Sequence, residues 1–590
     1  MRKRPTKAPA VKCPFCRDIG LAAGGRKCIP FGKMRGGWTK KTVGRRYDKD
    51  KEGRKKTVKK EVAFWTKGVG AGLGMWYTAA VIGRAAPSHQ SLFGPADPTG
   101  GCFLCLCPAL PLAKKEGVLG AKSNREGIEN VRDKILTEKS FYRALLTVAI
   151  PIALQNLISF GVNMMDTVML GQLGEVQLSA ASLANQPFFV FSMFSFGFAA
   201  GGSVMISQYW GKGDTAAISR IMAIGLKFVV VLSLLVTALV LCFPEAILRL
   251  FTADPEVVAE GVRYLKIIAF SYFFYGVSNC YITSLRGVEQ VKISVVIYSV
   301  SFVINVIINY IFIFGAFGAP ALGVAGAAVG TLCARISELV MSIVYMERFE
   351  KRTGFRLRHL FHKMDRLLLG DYVKTSLPVA FNEIAWGLST SVHAAILGRM
   401  GASVVAANSI VNVVTQLAFI FLFGLSNATA IQIGKAVSSK PAGYVRKMAT
   451  TMQLLSLGVG TVGALIVLAI RKPVIGLYNI APETTAMASE MMIAAAVMTF
   501  LISVEVISTM GVLRGGGDTK FTFFIDVFFI WAVATPLGAY FGLVAKVAAP
   551  VVYVLLRIDS PIKTVVSFFR IRSGCWMRNV TRDESELAAE

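Results

Sequence analysis

Asp166 sits in the stretch GVNMMDTVMLG, which holds no other charge. An ionised carboxylate at the centre of an apolar segment costs about 3 kcal/mol, so such an acid is a functional candidate by default. The same segment carries Asn156 and Asn163. A separate apolar segment carries Asn305 and Asn309, four residues apart and therefore on one face of a helix. A carboxylate with converging amide oxygens is a donor set for Na⁺. A carboxylate shielded from water can instead carry H⁺. Hydrogen bonding between helices by the Asn side chains is the structural alternative. Three more acids lie in apolar surroundings: Glu383 in LPVAFNEIAWG, Glu505, and Asp526. Asp526 follows Lys520 by six residues and reads as structural. Glu338 follows Arg335 by three, the spacing of a local ion pair.

A second set of residues could receive an apolar ligand. FFVFSMFSFGF places Phe188, Phe191 and Phe194 on one stripe, and Met164, Met165 and Met169 lie in the Asp166 segment. Thioethers and flat rings adapt to ligands of varied shape. Aromatic side chains turned towards lipid are the alternative.

These residues must be positioned by membrane helices. The chain has 590 residues, 54% of them hydrophobic, and a mean hydropathy of +0.56, too apolar for an ordinary soluble domain. From Phe141 onward, apolar windows follow one another, each long enough to cross a bilayer. They show no strict alternation, so helices are expected rather than barrel strands. Twelve spans are read at 142–169, 183–210, 221–243, 262–284, 293–315, 321–346, 375–398, 404–434, 448–470, 486–512, 521–543 and 547–569. Lys and Arg concentrate in the even-to-odd connectors, eight of them between Arg348 and Lys374. That bias places those connectors and both termini in the cytoplasm.

The net charge of +29 is uneven. Residues 1–134 hold 29 Lys and Arg against 10 acids, a surplus of +19, so a nucleic-acid reading could concern only that part. The same part holds six of the ten cysteines, four of them in two CxxC pairs, Cys13/Cys16 and Cys102/Cys105. Two such pairs can bind zinc, but 85 residues of little patterning separate them. The reading taken here is that the protein proper starts near Lys134 or Leu136, with upstream sequence joined on; a disordered basic extension is the alternative. The expected organisation is therefore an extension 1–134, a first lobe 135–347, a basic linker 348–374, a second lobe 375–582 and an acidic tail 583–590.

The two lobes are copies. At a shift of 227, Pro151 meets Pro378, Leu170-Gly171 meets Leu397-Gly398, and Gly174 meets Gly401. Ser182 and Asn185 meet Ser409 and Asn412; Phe194, Phe196 and Gly197 meet Phe421, Phe423 and Gly424; Pro255-Glu256 meets Pro482-Glu483. One residue later in register, Leu285-Arg286-Gly287 and Lys292 meet Leu513-Arg514-Gly515 and Lys520. Each unit has six spans, an even number, so the copies share an orientation and their axis lies along the membrane normal. The expected fold is all-α and integral to the membrane, twelve helices in two six-helix lobes. Parallel repeats of this kind occur in secondary transporters, with the site between the halves. No GxxxxGK[ST] phosphate loop occurs, so the sequence carries no ATP engine of that type and an ion gradient is the natural driver.

MMDTVMLGQLG, FGFAAGGSVMISQYWGKGD, the paired LRG connectors, NEIAWG, LRGGGDTK and RSGCWMRNVT, taken in order, resemble the multidrug and toxic compound extrusion (MATE) family, in its bacterial branch of the kind seen in Firmicutes. The resemblance covers residues 135–582. It implies two lobes forming a V around a central cavity, and export of organic, often cationic, compounds in exchange for Na⁺ or H⁺ by alternating access. By this resemblance the first-lobe coupling set is Asp166, Asn305, Asn309, Asn185 and Thr331, with Na⁺ at Asp166 as the one metal considered. Glu383 and Glu505 are the second-lobe candidates. Some members carry an Asp where Ser503 stands here, a departure that shifts the expectation to the first lobe. Met164, Met165, Phe188, Asn156, Asn382 and Trp386 are assigned to the substrate cavity. The resemblance implies no enzyme activity and no cofactor beyond the coupling ion. The expected setting is the inner (plasma) membrane, as a monomer handling small organic molecules and no nucleic acid. A lipid or lipid-linked oligosaccharide flippase is the nearest rival. A channel is more distant, because no repeated filter motif occurs.

Overall fold

The computed structural model describes residues 135–361, 363–478 and 480–582. The basic extension with its CxxC pairs and the acidic tail lie outside these residues. Every regular element among the described residues is helical.

Nine helices among the described residues are long and apolar enough to cross a bilayer. They are spans 1 (Lys139–Gly171), 2 (Glu175–Lys212), 3 (Thr215–Cys242), 5 (Lys292–Phe314), 6 (Val324–Phe349), 8 (Ala402–Ser439), 9 (Ala442–Ile475), 10 (Pro482–Leu513) and 11 (Thr519–Val544). The other three are helical but interrupted or polar. Span 4 breaks at Ala269-Phe270, between Pro255–Ile268 and Ser271–Gly287. Span 7, Arg366–Gly398, carries Asn382, Glu383 and His393, and begins inside the stretch read from sequence as linker. Span 12 divides near Arg557 into Ala549–Leu555 and Asp559–Ser573. Polar groups at this depth persist only where protein surrounds them, and these three spans supply many of the buried charges described below.

The twelve spans form two six-helix lobes related by a pseudo-two-fold axis along the membrane normal. The backbone repeats this symmetry in detail. Gly174 and Gly401 precede the helices of spans 2 and 8 with φ of 136° and 132°, a region that suits glycine alone. Pro151 and Pro378 lie inside the helices of spans 1 and 7. The shift grows from 227 to 228 across span 10, which contains the π-helical stretch Ile507–Leu513. A π turn takes in one residue more than an α turn, so the added residue is absorbed without breaking the helix.

The lobes meet where span 2 packs on span 7 and span 8 packs on span 1. A methyl group on Gly197 would collide with the Ala380 backbone, and one on Gly424 would lie 2.9 Å from Ala153 Cβ. Gly197 and Gly424 are repeat partners, so the same small residue lets backbones approach at both crossings, where close van der Waals packing holds membrane helices together. The aromatic stripe packs on other rings and lines no cavity described below. Phe191 stacks on Tyr272 with ring centroids 5.4 Å apart, Phe188 packs on Tyr272 and Tyr275, and Phe194 packs on Phe198 and Phe381. It is first-lobe core that runs into the seam.

One end of the seam is tied shut, on the side of the even-to-odd connectors. Lys435 Nζ of the second lobe donates to Glu289 Oε2 of the first at 2.7 Å, and Gln432 Nε2 donates to Glu289 Oε1 at 2.8 Å. Trp210 Nε1 donates to the same carboxylate at 3.3 Å. Burial alone would raise the Glu289 carboxyl; the hydrogen bond and charge of Lys435, with Gln432 and Trp210, more than offset this and hold it below its ordinary value. The segment after span 12 then crosses to the first lobe. Val580 N donates to Gln208 Oε1 at 2.8 Å, Gln208 Nε2 donates to Arg578 O at 3.1 Å, and Arg582 N donates to Tyr209 Oη at 3.0 Å.

Candidate functional site

Three helices of the first lobe build a small polar site. Asp166 lies half-buried on span 1, five residues before that helix ends at Gly171. Asn309 Nδ2 on span 5 donates to Asp166 Oδ1 at 2.6 Å, and also reaches Asn305 Oδ1 at 3.3 Å. Asn305 Nδ2 in turn reaches Thr331 Oγ1 on span 6 at 3.5 Å. Both amides are fully buried. Asn309 Oδ1 is buried with no hydrogen-bond partner among the described residues. An unsatisfied acceptor beside a carboxylate is what a bound cation would satisfy. Asn185 stands apart from this set: its Nδ2 is bonded to Tyr264 Oη at 3.2 Å. The basic residue of span 6 does not neutralise Asp166. Arg335 Nη1 instead holds both Glu338 oxygens, at 2.8 and 3.0 Å, with Ser301 Oγ adding a bond to Glu338 at 2.7 Å. The local ion pair read from the spacing is present.

The second lobe is built differently. Lys563 Nζ on span 12 lies 2.9 Å from Asp559, 3.2 Å from Asp526 and 3.3 Å from Glu505. All four side chains are buried. Three ammonium protons thus meet three carboxylates. Asn382 Nδ2 donates to Asp526 Oδ2 at 3.0 Å, and Thr509 Oγ1 donates to Glu505 Oε1 at 3.1 Å. Glu383 is outside this cluster: its Oε1 accepts from Arg514 Nη1 at 2.8 Å, with both side chains buried.

Two cavities adjoin these groups. A central cavity of about 530 Å³ lies between the lobes, with Asn156, Asn163, Trp386, Arg286, Glu383 and Arg514 on its wall. A second, of about 370 Å³, is lined by second-lobe residues apart from Phe189 and reaches the Lys563 cluster, His393 and Asn382. Asn156 and Trp386 therefore line the central cavity as expected from sequence. Asn382 does not, because its bond to Asp526 turns it into the second cavity. Met164 is 54% exposed, and neither it nor Met165 lines either cavity. Phe188 is core packing.

Sequence reasoning missed His393, Lys563, Asp559 and the roles of Arg286 and Arg514. His393 was readable: the 227 shift that defines the repeat puts it opposite Asp166. For Lys563 and Asp559 the signal was their spacing of four within a window read as a membrane span.

Comparison with known proteins agrees with this architecture. The MatE family model matches residues 151–311 and again 378–540, more than half of the chain, and the second match starts 227 positions after the first. The probable multidrug resistance protein NorM of Rhizobium meliloti (strain 1021) is 30% identical over 426 residues, covering 69% of this chain and 91% of its own. The multidrug resistance protein MdtK of Photorhabdus laumondii is 28% identical over 404 residues, covering 68% and 88%. Among solved structures, a multidrug resistance MATE family transporter in its outward-facing conformation superposes with a TM-score of 0.68 at 16% identity, over 79% of this chain and 99% of its own. A MATE in the bent conformation gives 0.67 at 17%, over 79% and 98%. A family model that matches once per lobe, on a repeated six-helix fold with a cavity at its seam, places the chain in the MatE family of multidrug and toxic compound extrusion transporters.

Proposed function

We propose that this transporter is a multidrug efflux antiporter of the cell inner membrane. Organic compounds occupy the central cavity and leave in exchange for Na⁺ or H⁺ bound at Asp166, as the lobes rock about their seam. The observation that carries the reading is a carboxylate on span 1 whose hydrogen-bonding partner is the neutral amide of Asn309, with Asn305 and Thr331 behind it. A cation or proton can join or leave such a group without breaking an ion pair. The names of the NorM and MdtK relatives support the substrate class. The connector charges support cytoplasmic termini, which makes the tied end of the seam the cytoplasmic one.

A second reading places coupling in the second lobe, where three carboxylates share one ammonium and leave surplus negative charge for a proton to balance. Flux in proteoliposomes tests both. An inward Na⁺ or pH gradient should drive ethidium out against its own gradient, and the ion that supports this is the coupling ion. Ungated conductance without exchange would mark a channel and refute the proposal.

A further inference from the structure

The wall of the central cavity carries a buried cation with no carboxylate beside it among the described residues. Arg286, near the end of span 4, is 6% exposed, and its guanidinium makes one hydrogen bond among the described residues, Nη2 to Gln155 Oε1 at 2.7 Å. Its Nε is buried and unpartnered. The repeat-related Arg514 faces the same cavity but is paired with Glu383. Asp166 cannot serve as a contact partner for Arg286: it lies eleven residues along span 1 from Gln155, roughly 16 Å at the helical rise. The acid on the cavity wall, Glu383, is committed to Arg514, so the wall carries one unbalanced positive charge.

Arg286 is not alone. Thr283 and Asn279 stand one and two turns before it on the same helix, at successive spacings of three and four, so the three share a face. All three line the central cavity and are more than nine-tenths buried. Asn279 Nδ2 and Thr283 Oγ1 are also buried without hydrogen-bond partners among the described residues. Three donors left unsatisfied in a row, one of them charged, are costly in a protein interior unless a ligand completes them. The group that matches an amide N–H, a hydroxyl and a guanidinium is an oxyanion. Phe160, Phe196, Phe419 and Phe423 line the rest of the wall and suit an aromatic body.

We propose that Asn279, Thr283 and Arg286 form an anion subsite of the central cavity, which binds the carboxylate or sulfonate of an aromatic organic compound. The inference rests on the cavity being the transporter's substrate site. It is independent of coupling at Asp166, because the test below uses no gradient. The commitment is to a soluble organic anion; an anionic lipid headgroup offers similar oxygens and is separated by the test.

Fluorescein is titrated into the full chain in phosphatidylcholine nanodiscs, read by anisotropy, with ethidium as the cationic counterpart. Fluorescein should bind the more tightly. Arg286→Gln should weaken fluorescein about tenfold or more, a loss of ~1.4 kcal/mol or greater. Gln155→Glu should weaken it similarly while staying folded, because the new carboxylate supplies Arg286 with an internal counterion as Glu383 does for Arg514. Neither change should weaken ethidium. Fluorescein affinity unaltered by Gln155→Glu would overturn the subsite. So would displacement of fluorescein by phosphatidylglycerol in the nanodisc, which would assign the donors to lipid.

Discussion

The two lobes share one chain trace and place their charges differently. Asp166 of the first lobe has His393 as its repeat partner, with Nε2 3.0 Å from Thr535 Oγ1. The amide pair Asn305 and Asn309 has no counterpart: shifts of 228 or 229 reach Val533 or Ala534, and Leu537 or Gly538. Arg335 and Lys563 are 228 apart, and each sits beside acids in its lobe's interior. Arg335 takes an acid from its own helix, Glu338, and so leaves Asp166 unpaired. Lys563 gathers acids from three helices. Duplication thus supplied one scaffold twice. Side-chain change then gave one copy a carboxylate with no ion-pair partner among the described residues and the other a cation fixed in the chain.

This contrast can be broken at several points. The largest effect is expected at Lys563. Lys563→Met leaves three buried carboxylates without their cation and should destabilise the protein by about 3–5 kcal/mol, read as a lower thermal midpoint in detergent. Asp166→Asn removes no ion pair and should shift that midpoint little. Equal midpoints for Lys563→Met and the unaltered protein would remove the fixed-cation description of the second lobe. The central cavity gives a smaller contrast. Glu383→Gln strips Arg514 of its partner and should cost roughly 2 kcal/mol, whereas Gln155→Glu should stabilise by about 1 kcal/mol through its bond to Arg286. The same assay would sink the asymmetry if both changes acted in one direction.

The smallest effect concerns the ties at the seam. Glu289 has a carboxyl held below its ordinary value, so its contribution is present at neutral pH and is lost as pH falls through that lowered value. Glu289→Gln should lower the thermal midpoint at pH 7 by an amount corresponding to ~1 kcal/mol or less, given the partial exposure of the pair. The difference between variant and unaltered protein should shrink on acidification below the usual carboxylate range. A difference that grows in acid would show that Lys435 is not what holds this carboxylate.

The repeat was legible in the sequence because identities at a fixed shift need no structural knowledge. The Asp166–Asn309 contact was legible because a carboxylate and an i, i+4 amide pair stand out against hydrocarbon-like segments. The facing of Met164, Met165 and Phe188 was not. In a membrane both the lipid side and the core side of a helix are apolar, so the amphipathic signal that orients a soluble helix is erased. Asn382 was misplaced for a related reason: it and its neighbour Glu383 line different cavities, and its bond to Asp526 marks the side it takes. The Lys563 cluster joins spans 10, 11 and 12, and nothing in a single sequence shows that those side chains converge.

The most direct measurement compares Asp166→Asn with Glu505→Gln in proteoliposomes under the gradient that drives the unaltered protein. If the unpaired carboxylate of the first lobe carries the ion, Asp166→Asn reduces gradient-driven ethidium flux at least about tenfold, and Glu505→Gln retains most of it. Retained coupling in Asp166→Asn together with its loss in Glu505→Gln would contradict the account and move the exchange site to the lysine-centred cluster.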